Sequence, residues 1–235
     1  MAEGYDFEKA WLAKFAASVD RIAGQEIRRE VMKSSDGLSS ESDRQDVIAW
    51  SQAAMGRLES LVEDAGACRG IMVDCACQYP RSSLQQAREA YHQSGSVDAA
   101  HSVLQGQFEA LLRDTLGLSD DLIEEIVGRG WGAAGVREGE TIIATKIPKS
   151  GNLIAYMRES DPQKKRQLYC HCPRIRDVLR TTEKISVTYC YCGAGFYKSI
   201  WEEILQEPVQ VEVLKSVVAG DDTCTIRVRL PQSHA

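Results

Sequence analysis

The stretch VQVEVLKSVVAGDDTCTIRVRL, residues 209–230, decides the fold class. Its second half alternates: Cys224, Ile226, Val228 and Leu230 against Thr225, Arg227 and Arg229. A period of two is what a half-buried strand produces, because successive side chains leave a strand on opposite faces. Val209–Val218 is rich in β-branched residues, and Gly220-Asp221-Asp222 is turn chemistry, so the stretch is predicted to be an antiparallel hairpin. Upstream, Thr141–Ile147 and Leu153–Arg158 form a second candidate hairpin around Lys149-Ser-Gly-Asn152. Short helices are expected between the hairpins, at Pro173–Arg180 and Gly195–Gln206.

The first half carries the helical period instead. Asp6 can cap a helix whose Phe7, Trp11, Phe15, Val19 and Ile22 recur at spacings of three and four. Lys33–Asp46 is polar and reads as a linker. A second helix turns Val47, Trp50, Ala54, Leu58, Leu61 and Val62 inward, with Gly66 as its expected C-cap. Helical patterns return at Leu84–His92, Val97–Leu116 and Leu122–Val127, the last opened by Ser119. Helices first and hairpins later predict an α+β fold, divided into an N-terminal helix and linker (1–45) and a cysteine-rich ligand- or metal-binding domain (46–235).

A net charge of −6 argues against a nucleic-acid surface, which carries a basic excess. The N-terminus lacks the basic and apolar regions of a signal peptide, and no run approaches the roughly 18 apolar residues that cross a bilayer. The expected setting is therefore the reducing cytoplasm, where cysteines serve metals or reactions more than disulfides. A small molecule is the expected partner; a homodimer is left open.

Eight cysteines then become the main functional signal. Three pairs share one spacing: Cys75-Ala-Cys77, Cys170-His-Cys172 and Cys190-Tyr-Cys192. Random placement of eight would give about a quarter of one such pair. In an extended segment residues i and i+2 face the same side, so both sulfurs of a pair can meet one ion. Each pair is also expected just before a helix start, where the positive end of the helix dipole lowers a thiol pKa. Cys170, Cys172, Cys190 and Cys192 would complete a four-thiolate zinc site. Cys75 and Cys77 either enlarge it, as for an iron–sulfur cluster, or remain as a reactive dithiol. The spacing is not the Cys-x₂-Cys of a zinc ribbon, so the metal is left open. Arg174 and Arg176 follow closely and could hold a substrate carboxylate; surface charge is the competing reading. His171 should point away from its two neighbours. Gly130-Trp-Gly-Ala-Ala-Gly135 has the letters of a dinucleotide-binding turn, but it lies between a helix and a strand, the reverse of what that turn needs.

The segment Tyr189–Pro231, above all Gly220-Asp-Asp-Thr-Cys-Thr-Ile226, resembles the C-terminal part of the L-2-amino-thiazoline-4-carboxylate hydrolase-like family. More loosely, it is similar to the small-molecule-binding domain related to 4-vinyl reductases. The resemblance implies an α+β ligand-binding fold and either hydrolysis of a small cyclic amidine or thiazoline, or small-molecule sensing. Cys192 and Cys224 sit where that pattern places cysteines. Where the vinyl-reductase type has a zinc-holding cysteine, this chain has Ser216.

Two functions follow. In one, a hydrolase or lyase attacks a C–N or C–S bond of a small molecule with Cys75 or Cys77 as nucleophile and Arg174 or Arg176 as anion clamp. In the other, a metal-containing sensor or binding domain carries no chemistry.

Overall fold

The C-terminal alternation is a strand at the centre of a four-stranded antiparallel sheet. The computed structural model describes residues 5–181 and 183–231; residues 1–4, where the stretch read for a signal peptide begins, lie outside the described residues. The strands are β1 (Val136–Glu138), β2 (Thr141–Thr145), β3 (Gln210–Lys215) and β4 (Thr225–Arg229), in the order β1-β2-β4-β3. Val228 stands opposite Ile142 on one side and Val211 on the other, and Ile226 opposite Ala144 and Val213. While Val211 and Val213 on β3 are half-buried, Ile142, Ala144, Ile226 and Val228 are buried, the face that the alternation anticipates. Thr225 departs from it: it is buried, with its hydroxyl 3.1 Å from that of Thr145.

The chain divides into two compact units, Met1–Ala76 with Cys170–Gly195, and Cys77–Tyr169 with Phe196–Ala235. The expected boundary between residues 45 and 46 falls inside the first. That unit opens with α1 (Phe7–Ala23), α2 (Gln25–Val31), α3 (Arg44–Leu61) and α4 (Ala65–Asp74). Asp6 caps α1 by accepting the Lys9 N–H at 3.0 Å, and the helix buries Trp11, Leu12, Phe15 and Val19. The expected linker is a docked series of turns. Leu38 is buried, and the Lys33 carbonyl accepts Trp50 Nε1 at 3.0 Å. Gly66 is not a C-cap. Asp64 accepts its N–H at 2.7 Å and starts α4, so the chain re-enters helix where it was expected to leave it.

The second unit continues with α5 (Arg81–Ser94), α6 (Val97–Ala110) and α7 (Asp120–Gly128). Three glycines join α7 to β1, confirming a helix-to-strand connection. At Gly135, with φ +66°, a side chain would meet the Ile143 carbonyl at 2.7 Å. Leu153–Arg158 is not a strand but a helix, α8, with Leu153 and Tyr156 buried one turn apart. Its apolar run is too short for periodicity to separate the two states, and Leu, Ala, Met and Arg favour helix. After α9 (Pro162–Tyr169), α10 (Pro173–Val178) lies in the first unit, while α11 (Tyr191–Leu205) begins in the first and ends in the second. Among the described residues no helix is long and apolar enough to cross a membrane.

Candidate functional site

Six of the eight cysteines, at 68, 75, 170, 172, 190 and 192, belong to the first unit. Cys75 is the residue at the C-terminal end of α4, not before a helix start. Its N–H bonds the Met72 carbonyl at 3.1 Å, its thiol donates to the Ile71 carbonyl at 3.2 Å, and its side chain is fully buried. The end of α4 is tied to α1: Ser18 Oγ donates to Asp74 at 2.6 Å, Arg21 pairs with Asp74, and Lys14 Nζ donates to the Ala76 carbonyl at 2.9 Å. Burial, then the neighbouring Cys192 and Asp74, push the Cys75 thiol far above its ordinary range; Lys14 and Arg174 act weakly the other way. The expected lowering at a helix N-terminus is thus reversed, chiefly by burial, at a position that ends a helix instead of starting one.

The other two pairs come from two separate segments of the first unit. Cys190 closes a 3-10 turn, Val187–Cys190, and Cys192 lies in the first turn of α11, so this pair is helical and not extended as expected. Residues two apart on a helix do not face one point. Cys192 Sγ donates to the Cys75 carbonyl at 3.4 Å. Gly195 permits that approach. A Cβ there would stand 2.0 Å from the Val73 carbonyl oxygen and 2.8 Å from Ala76 Cβ, so only glycine lets this turn of α11 lie against the end of α4. Cys170 and Cys172 lie in an irregular segment before α10; Cys170 is buried, Cys172 half-buried, and His171 between them is exposed, as alternation requires.

Arg174 is not a surface charge. Only 1% exposed, it pairs with the equally buried Glu8 on α1, donates to Ser51 Oγ at 3.0 Å, and lies 4.1 Å from the Trp11 ring centre and 5.7 Å from that of Trp50. Its counter-charge is therefore internal, and engaging a substrate carboxylate requires Glu8 to yield. Arg176 is half-buried and 3.9 Å from Asp177; its N–H bonds the Cys172 carbonyl at 2.9 Å. Cys77 is exposed and belongs to the second unit.

Tyr189 completes the cluster. It stacks on Trp11 with ring centres 5.4 Å apart and planes within 10°, and only 1% of it is exposed. Its hydroxyl has no hydrogen-bond partner among the described residues. Burial drives its pKa well up; Arg174 opposes this, while Cys172, Cys192 and Cys75 add to it, so all three thiols lie within electrostatic reach of one phenol. Sequence reasoning missed both Tyr189 and Glu8. The signal for Glu8 was present: it falls on the Leu12, Phe15, Val19 stripe, where a carboxylate needs a buried partner.

Thiolates suit a soft cation by their donor chemistry, whereas the guanidinium nearby is itself a cation and ligates none. As the side chains stand, no three or more His, Cys, Asp or Glu among the described residues are gathered as a metal-holding group, so the expected four-thiolate centre is not preassembled. The second unit separately holds a cavity of about 490 Å³, lined by Tyr79, Leu84 and Pro208 together with Gln78, Ser199 and Glu203. That volume is in the range of small-molecule sites.

A model for a family of unknown function (DUF6144) matches residues 156–235. The match takes in four of the first-unit cysteines and the segment on which the hydrolase-like resemblance rests, but not Cys75 or Cys77. No curated protein and no solved structure matches the chain.

Proposed function

We propose that this protein is a non-catalytic binding module whose first-unit thiols take up a soft metal ion, zinc foremost, and whose second unit binds a small molecule. The observation that carries this reading is the gathering of six of the eight cysteines in the first unit, with Cys192 Sγ 3.4 Å from the Cys75 carbonyl. Cys172 and Cys192, with Cys170 and Cys190, are the donors this reading assigns to the ion. Bound zinc would contribute its binding free energy to the stability of the first unit. A hydrolase or lyase working through Cys75 needs an accessible, low-pKa thiolate. The burial of Cys75 and its position at the negative end of α4 favour the module instead.

Competitive alkylation of protein purified without oxygen tests the choice. The module predicts that first-unit thiols are protected as isolated and become reactive when a chelator removes the ion, with metal analysis returning zinc. A first-unit thiol that reacts quickly in the untreated protein, with no metal recovered, would sink the proposal and restore the enzyme.

A further inference from the structure

The charges that line the second-unit cavity do not cancel where they stand. One side is the start of α5, with Tyr79 and Arg81; the other is the end of α11 and the turn after it, with Glu202, Glu203 and Glu207. Glu203, only 15% exposed, accepts Arg88 Nη1 at 2.7 Å, and this pair is already neutral. Glu202 pairs with Lys198 and accepts the Val209 N–H at 3.2 Å. Arg81 is therefore a surplus cation. Its Nε stands 3.4 Å from Glu203, its side chain is 81% exposed, and its guanidinium makes no hydrogen bond among the described residues. Glu207 is the matching surplus anion, since its carboxylate has neither a hydrogen bond nor an ion pair among the described residues. Gln206, at φ +56°, turns the chain out of α11 and donates its amide to the Glu203 carbonyl at 2.6 Å, which brings Glu207 to the cavity wall. The same cavity offers apolar surface from the buried Leu84 and from Tyr79, whose ring meets Phe196 edge-on at 5.7 Å. A ligand that fills this space displaces water from both charges. One that carries a single charge leaves the other desolvated and unpaired, which is costly, whereas one that carries both satisfies both.

We propose that the second-unit cavity takes a small zwitterion of the amino-acid kind, its carboxylate on Arg81 and its ammonium on Glu207. This rests on the small-molecule reading above and names the class of ligand. A guanidinium presents parallel N–H donors to a carboxylate, and an ammonium presents three donors to Glu207. The ligand's own side chain lies against Tyr79 and Leu84, and about 490 Å³ leaves room for a dipeptide as well as a free amino acid.

Ligand-observed NMR of the full chain with the common free amino acids, and with their glycyl dipeptides, tests the class. At least one compound should bind. Blocking either end of it, as the amide or as the N-acetyl derivative, should weaken binding by at least about tenfold, because each end loses a charge-assisted contact. Arg81→Gln and Glu207→Gln both change exposed side chains, so the fold should survive, and each should weaken the parent compound by a similar factor. The losses should also cross: Arg81→Gln removes the sensitivity to amidation, and Glu207→Gln the sensitivity to acetylation. A blocked form that binds as tightly as its parent overturns the zwitterion and leaves the small-molecule reading standing. Unchanged affinity in both variants does the same, as does a protein that takes up benzoate, benzylamine or indole and none of the zwitterions. No binding by any of these compounds overturns both.

Discussion

Glu8 and Arg174 are each almost fully buried, and an unpaired charge at that depth is far more costly than the pair. Glu8→Ala should therefore lower unfolding free energy by about 3–5 kcal/mol. Arg113→Ala, which breaks an exposed pair with Asp120, should change it by less than about 1 kcal/mol. Urea melts of both variants at one pH check this, and similar losses would mean that the Glu8 pair behaves like a surface one. Gly195→Ala makes a second test at this scale. Its new Cβ has no room beside the Val73 carbonyl, so α11 must move off α4, with a cost of about 1–3 kcal/mol. The same movement parts Cys192 from Cys75, so alkylation of both should quicken as stability falls. A destabilised variant with unchanged thiol rates would show that this crossing does not govern the site.

At the scale of elements, Cys75 and Cys77 illustrate what spacing reveals and what it hides. The pairs are legible because three identical spacings among eight cysteines are improbable, but their backbone state is not. Gly66 reads as an end because glycine commonly follows a helix; Asp64, a capping residue two positions earlier, overrules it by bonding the Gly66 N–H. That one reassignment moves Cys75 from a loop before a helix to the end of α4 and reverses the expected field on its sulfur. The sheet was more legible, because β4 lies between two partners and its alternation records a buried face directly. Leu153–Arg158 was not, since six residues complete too few turns to display a period. Cys75 and Cys77 should consequently behave as opposites despite their shared motif. At neutral pH Cys77 should take up an alkylating reagent at a rate near that of a solvent-exposed thiol, and Cys75 at least about a hundredfold more slowly, because thiolate fraction and access both fall with burial. Peptide mapping after timed alkylation reads the two rates separately, and equal labelling would remove the argument from burial.

Over the whole molecule, the groups shifted upward by burial share one sign. Cys68 and Cys75 in the first unit and Cys224 in the second are thiols held above their ordinary 9.0. Tyr189 in the first unit, with Tyr169 and Tyr197 in the second, are phenols held above 10.0. In each case the folded chain retains a proton that the unfolded chain gives up sooner. Where the folded state binds more protons, stability falls as pH rises, so these groups contribute fully below their unfolded values and lose that contribution above them. The window opens near pH 9.0 for the thiols and near 10.0 for the phenols. While it stays protonated in the folded state, each such group removes about 1.4 kcal/mol per pH unit beyond its unfolded value. Urea midpoints should thus hold steady through neutral pH and decline with increasing steepness above about 9. Cys75→Ala should soften the decline from its onset, and Tyr189→Phe only from about one unit higher, whatever each does to stability at neutral pH. The slopes therefore separate a proton held by burial from packing removed by substitution. Alkaline curves that run parallel to wild type in both variants would mean that neither group keeps its proton through folding, and the buried thiol cluster would have to be open to water.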